Sequence, residues 1–108
     1  MISDQDIEKA LDYLRDNAGE AAKAKANREY LDEYKKVLKA TIMREEDGKE
    51  SLGMMEARAL SDPRYIEHLK VWKECVERDE YFRWMKTSAE AKIEAWRTQS
   101  SNERAAKI

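Results

Sequence analysis

DPRYIEHLKVWKECVERDEYFRWMKTSAEAKIEAWRTQSSNER, residues Asp62–Arg104, reads as one uninterrupted helix, and that reading decides the fold. Asp62 is placed to accept bonds from the free N–H groups of a first turn, and Pro63 sits where a missing N–H costs least. Neither Gly nor Pro follows before the chain ends. At about 1.5 Å per residue this helix spans roughly 60 Å, more than a compact globule of this length needs, so it must lie against something comparably long.

The partner is in the other half of the chain. Ser3 is placed as an N-cap, with Asp4, Asp6 and Glu8 at the positive end of a helix dipole. Ile7, Leu11 and Leu14 follow on one face, and Asn17, Ala18 and Gly19 either end this helix or are carried through as a weak spot. From Glu20 to Glu46 the chain is helix-forming, with Leu31, Tyr34, Leu38 and Ile42 as its apolar stripe, and Asp47 and Gly48 stop it. A connector carries a short helix from about Leu52 to Leu60, capped by Ser51. The long helix then presents Tyr65, Leu69, Trp72 and Val76, followed by Phe82, Met85, Ala89, Ile93 and Trp96. Around Asp79 this stripe thins, which predicts an imperfect coiled coil.

These elements, helices over about 3–17, 20–46, 52–60 and 62–104, predict a single all-α domain over residues 1–108. Its form is a long antiparallel helical hairpin, with a third N-terminal helix if Gly19 breaks the first. The two halves match in length. With the turn midway, Leu38 faces Leu69, Tyr34 faces Trp72, Leu31 faces Val76, Leu14 faces Ile93 and Leu11 faces Trp96. The small Ala22, Ala24 and Ala26 fall opposite Phe82, Trp84 and Met85. Residues 1–20 carry six acids and two bases, residues 83–108 three acids and six bases, so the antiparallel arrangement sets the acidic end beside the basic one. Exposed pairs of this kind steer orientation more than they stabilise.

Composition agrees. Of 108 residues 42% are apolar and 41% charged, with one Pro and three Gly, which fits slender helices that leave most positions wet. Two helices alone leave the second flank of each stripe uncovered, so self-association is expected. A formal net charge of −2 supplies no overall field for nucleic acid or an anionic membrane. The single Cys makes no internal disulfide and suits a reducing compartment. Met1 is followed by acids rather than by the basic and then apolar run of a leader, and no apolar stretch approaches the ~20 residues a membrane span needs, so a cytoplasmic protein is expected.

Candidate chemistry is sparse. His68 and Cys75 are the only residues of their kinds, and seven helical residues separate them by roughly 10 Å, too far to share one zinc ion. They read as a seam-edge His and a half-buried Cys. Glu45, Glu46 and Asp47, or Asp79 and Glu80, lack the alternating oxygen-ligand loop of calcium sites and read as solvated helix ends. No phosphate cradle, Gly-x-Ser-x-Gly or His-Glu-x-x-His occurs, so no enzyme, metal or cofactor is expected. Two surfaces stand out instead. Arg83, Trp84, Lys86, Lys92 and Arg97 mix cations with aromatic character as single-stranded nucleic-acid binders do. Trp84, with Arg83 beside it, lies off the stripe and marks a protein-binding surface if exposed. Met54 and Met55, near Met43, Leu52 and Leu60, form either a lid on the hairpin or an adaptable contact surface.

The runs Ala57–Tyr65, Arg83–Trp84, Lys92–Thr98 and Asn102–Ala105 resemble a family of small helical proteins of tailed bacteriophages and prophages, a family for which no activity is established. The resemblance covers roughly the last half of the chain. It implies phage origin, expression in the bacterial cytoplasm and accessory work near phage recombination or replication, and it carries over no catalytic residue. The reading is a non-enzymatic accessory protein acting through a protein partner, by Arg83, Trp84, Met54 and Met55. The alternatives are a single-stranded nucleic-acid accessory binder and an inhibitor of a host defence protein. The Trp-x-Gly turn of secreted helical hairpins is absent from Asp47–Gly53.

Overall fold

The computed structural model describes residues 1–45 and 48–107; the expected stop at Asp47, with Glu46, lies outside them. Among the described residues the chain forms three helices, α1 (Asp4–Met43), α2 (Leu52–Ser61) and α3 (Pro63–Ala106), and no strand. It is an all-α helical hairpin. Its contacts gather into two units, Met1–Ala22 with Glu80–Ile108, and Lys23–Asp79.

Each helix starts where its side chains supply the missing acceptors. At α1 the Asp6 N–H donates to Ser3 Oγ at 3.1 Å, and Ser3 N–H donates back to Asp6 Oδ2 at 3.0 Å, a reciprocal capping box. Those bonds hold the Asp6 carboxyl below its ordinary range. At α2 the Met54 N–H donates to Ser51 Oγ at 3.2 Å. Asp62 both closes α2, its N–H bonding the Ala59 carbonyl, and opens α3, its Oδ1 accepting the Arg64 N–H at 2.8 Å.

The helices expected over 3–17 and 20–46 are one helix, α1. Asn17 donates its side-chain amide to the Tyr13 carbonyl at 3.0 Å instead of capping, and Gly19 keeps an ordinary negative φ. The alanine-rich turns that follow have the highest helix propensity and carry the backbone across. Gly48, by contrast, has φ +78°, the left-handed conformation that L side chains rarely adopt.

In the first unit the two helices run antiparallel. Trp96 Nε1 donates to Asp4 Oδ1 at 3.0 Å, and Gln99 exchanges bonds with the Ile2 backbone in both directions. The inward positions of α1 alternate by three and four, Ile7, Ala10, Leu14, Asn17 and Ala21, and all are buried or half-buried. Leu11, expected in this stripe opposite Trp96, is 52% exposed because Ala10 takes the seam position. On α3 the seam is Phe82, Ala89, Ile93 and Trp96, and the strict alternation puts Lys86 on the seam side of the helix rather than Met85. The Lys86 side chain is nonetheless 67% exposed and Met85, at 36%, lies at the edge of the seam, while Trp84 and Ala22 are exposed, so the expected stack of alanines beneath aromatics does not extend to Trp84 and Ala22.

The second unit also pairs α1 with α3 antiparallel and adds α2. Ala24, Arg28, Leu31, Lys35, Leu38 and Ile42 continue the alternation on α1, against Tyr65, His68, Trp72, Cys75 and Asp79. Arg28 with Asp79 and Lys35 with Trp72 keep the expected register, that of Leu38 with Leu69 and Leu31 with Val76, and only Tyr34 yields its place to the neighbouring Lys35. Lys35 Nζ, not Tyr34, covers the Trp72 ring at 4.2 Å, and Tyr34 leans on His68 at 5.5 Å between ring centroids. His68 Nε2 lies 2.7 Å from the Leu31 carbonyl. Asp79, where the stripe thins, is 5% exposed and bonds Arg28 Nη1 at 3.1 Å. The bond compensates the burial of the Asp79 carboxylate, with Arg28 reaching it from the rim of the seam.

α2 is fastened by polar ties. Arg58 donates to the Ile42 and Met43 carbonyls at 3.1 and 3.4 Å, supplying partners to the open C-terminus of α1, and also pairs with Glu50. Lys39 pairs with Glu56, and Arg64 forks onto Glu45 at 2.6 and 2.7 Å. Beneath these ties Ile42 and Ala59 are fully buried.

Candidate functional site

The surface that stands out from this frame is on α3 in the first unit. Phe82, Ala89, Ile93 and Trp96 point into the seam, and that fixes where their neighbours go. Tyr81, Trp84, Met85 and Ser88, spaced by three and four, form a second stripe about one-third of a turn from the first. They are exposed, Trp84 at 71% and Tyr81 at 57%. Tyr81 is braced edge-on against Phe82 with ring centroids 5.5 Å apart, so the outer stripe rests on the seam.

Met85 also reaches a shallow groove of about 180 Å³ lined by Asp6, Lys9, Ala10, Tyr13, Ala89 and Lys92. The Tyr13 hydroxyl is shielded from solvent and has no hydrogen-bond partner. Burial, and secondarily Tyr81, raise its pKa above the ordinary phenol value, so at neutral pH it is a neutral, idle donor at the groove.

The expected nucleic-acid set lies in the same unit, but its charge is largely balanced. Arg83 pairs with Glu80 at 3.2 Å, Arg97 with Glu94 at 3.4 Å and Lys86 with Glu90 at 3.8 Å. Lys92 faces Asp6, whose carboxyl it helps to hold down. Residues 1–22 and 80–108 together carry ten acids and eight bases, so this unit has a negative net charge. An aromatic platform exists here without the positive field that would draw in a phosphate backbone.

Met54 and Met55 belong to the second unit. Met54 is 60% exposed and Met55 half-buried, while Leu52 and Leu60 also face outward. A hydrophobic lid would bury these side chains. Instead Ala59 is the buried residue of α2, because the polar ties of Arg58 and Lys39 bring the helix close with a small side chain inward.

His68 and Cys75 are half-buried seam residues, and among the described residues no three metal-ligating side chains gather. Among the described residues no helix is long and apolar enough to cross a membrane. Arg83 and Trp84 are legible in the sequence as candidates, whereas Tyr81 and the outward turn of Met85 are missed. The signal that finds them is the alternation Phe82, Ala89, Ile93, Trp96, which sets positions 81 and 85 beside the seam rather than at its centre.

No protein-family model matches the chain, and no curated protein or solved structure matches it either. Its class is therefore set by its own architecture, an all-α antiparallel helical hairpin with a short connector helix.

Proposed function

We propose that this chain is a non-enzymatic accessory protein that acts by binding another protein through the outer stripe of α3 centred on Trp84. The observation that carries the reading is the 71% exposure of a tryptophan with Tyr81, 57% exposed, three residues before it on the same side of the helix. Large aromatics in such a stripe are the anchors by which an amphipathic helix face enters an apolar groove. Arg83 stands at the rim of that stripe, and Met54 with half-buried Met55 supplies a separate adaptable contact on α2. The likeness of the C-terminal half to small phage and prophage proteins supports reading it as a phage accessory factor in the bacterial cytoplasm, serving recombination or replication. Inhibition of a host defence protein is one form of the same activity.

The test replaces Trp84 with a photo-crosslinking residue in the intact chain expressed in a bacterial host, with exposed Glu94 replaced in the same way as control. A discrete adduct from position 84 and none from position 94 is expected. Identical or absent adducts at both positions would overturn the reading. In parallel, a single-stranded oligonucleotide added at low salt should leave tryptophan emission unchanged. Quenching that is lost steeply with salt would favour the nucleic-acid reading instead.

A further inference from the structure

The second unit carries its own outward stripe, on α1, with the same spacing. Tyr30, Glu33, Tyr34 and Val37 share one face, with Tyr30 66% and Val37 54% exposed, and with Lys36 they line an open groove. Tyr30 and Tyr34 stack at 6.0 Å with rings 19° apart, and Tyr34 is held from behind by His68. The stripe is thus ordered before anything docks on it, which lowers the entropic cost of association.

We infer that a second copy of this chain docks here, α1 against α1 in opposite directions, around a two-fold axis at Tyr34. The pattern is self-complementary about that residue. Reversal of the second helix sets Tyr34 level with the partner's Tyr34, and brings Tyr30 and the partner's Val37, and Glu33 and the partner's Lys36, each within one residue of level. In an antiparallel pair related by such an axis, side chains on one flank meet side chains on the same flank. Glu33 and Lys36 do share a flank, since they pair with each other at 3.2 Å along the helix. Acid therefore meets base twice. Ala26 and Thr41, at the next positions of the stripe on either side, are small and exposed and let the helices approach. Residues 23–79 carry thirteen acids and thirteen bases, so two such units do not repel. About two helical turns of contact place the dimer in the small, weak interface class and make it concentration-dependent. The inference is independent of the role given to Trp84.

The experiment is sedimentation velocity of the full chain over a wide concentration range, with helicity checked by circular dichroism. Glu33 and Lys36 side chains are 72% and 76% exposed, so substitutions there leave the fold intact. The native chain should associate to a dimer. Glu33→Lys alone and Lys36→Glu alone should each weaken the dimer about tenfold or more, since two exposed pairs are each turned into like-charge contacts. The double exchange Glu33→Lys with Lys36→Glu should restore it, and Trp84→Ala should leave it unchanged. A chain that stays monomeric at all concentrations, single exchanges without effect, a double exchange that fails to restore dimerisation, or loss of the dimer in Trp84→Ala would each overturn the inference.

Discussion

The two units pair the same two helices and differ in how well they close. In Lys23–Asp79, Ile42 and Ala59 are fully buried and Asp79 is 5% exposed. In the other unit the most sheltered large side chains, Ile7 and Phe82, keep 8% and 9% of their surface, and a groove runs beside Ala10 and Ala89. For Ile42 and Ala59 the difference is α2, whose Arg58 and Glu56 tie it over the end of α1; Asp79 is sheltered instead by its pair with Arg28. Two helices in contact shield each seam residue from one side, and a third element is needed to cover the remaining flank. Beyond the reach of α2, large apolar side chains stay at the surface in both units, Leu11, Tyr81 and Trp84 in one and Tyr30, Tyr34 and Val37 in the other.

The comparison predicts unequal costs for similar truncations. Ile42→Ala opens a cavity in the closed unit and should cost about 3–4 kcal/mol. Phe82→Ala, in the open unit, should fall at or below the low end of the usual range of about 3–5 kcal/mol, because its site already touches solvent. Chemical denaturation of both variants checks the order, and a larger loss for Phe82→Ala would break the comparison. Next in size is Asp79→Ala, which removes the buried carboxylate that Arg28 bonds across the helices. With Arg28 part-exposed the loss should be about 1–3 kcal/mol, smaller than for a fully buried pair. The double variant Arg28→Met, Asp79→Leu should regain most of it in the same assay while losing preference for a single register.

Ser3→Ala removes one half of the capping box and should cost about 1 kcal/mol, with amide exchange accelerated at the start of α1 and unchanged around Ile42. The smallest effect is in acid. Arg64 holds the Glu45 and Asp62 carboxyls below their ordinary values by direct hydrogen bonds. A depressed carboxylate stabilises the fold above its unfolded pKa and loses that contribution as pH falls through the folded value. Thermal melts should therefore show a stability loss beginning below about pH 4.5, and Arg64→Ala should flatten that part of the profile without altering the slope above pH 5.

Much of this was readable from residues alone. Ser3, Ser51 and Asp62 announce their helices because capping is local chemistry, and matching helix lengths with opposed charges announce the hairpin. The seam was only half legible. Spacing by apolarity picks Leu11, Tyr34 and Met85, but the helices follow a strict alternation of three and four that admits Ala10, Asn17, Arg28, Lys35 and Asp79. Those polar residues are tolerated because they find partners across the helices or, as Asn17 does, on their own backbone, and that information is not local. The continuity of α1 through Gly19 was open for the same reason, since the glycine costs about 1 kcal/mol and packing on both sides of it outweighs that. Trp84 is legible because it lies off the apolar stripe; Tyr81 is not, because its exposure follows only from the true seam.

The central claim is that the three tryptophans face different ways, Trp72 and Trp96 toward the seam and Trp84 toward solvent. Acrylamide quenching of three chains, each keeping one tryptophan with the other two changed to Phe, measures this directly in dilute solution. The account predicts strong quenching and red-shifted emission for Trp84, and weaker quenching for Trp72 beneath Lys35 and for Trp96 bonded to Asp4. A shielded Trp84, quenched no more than Trp72, would contradict it.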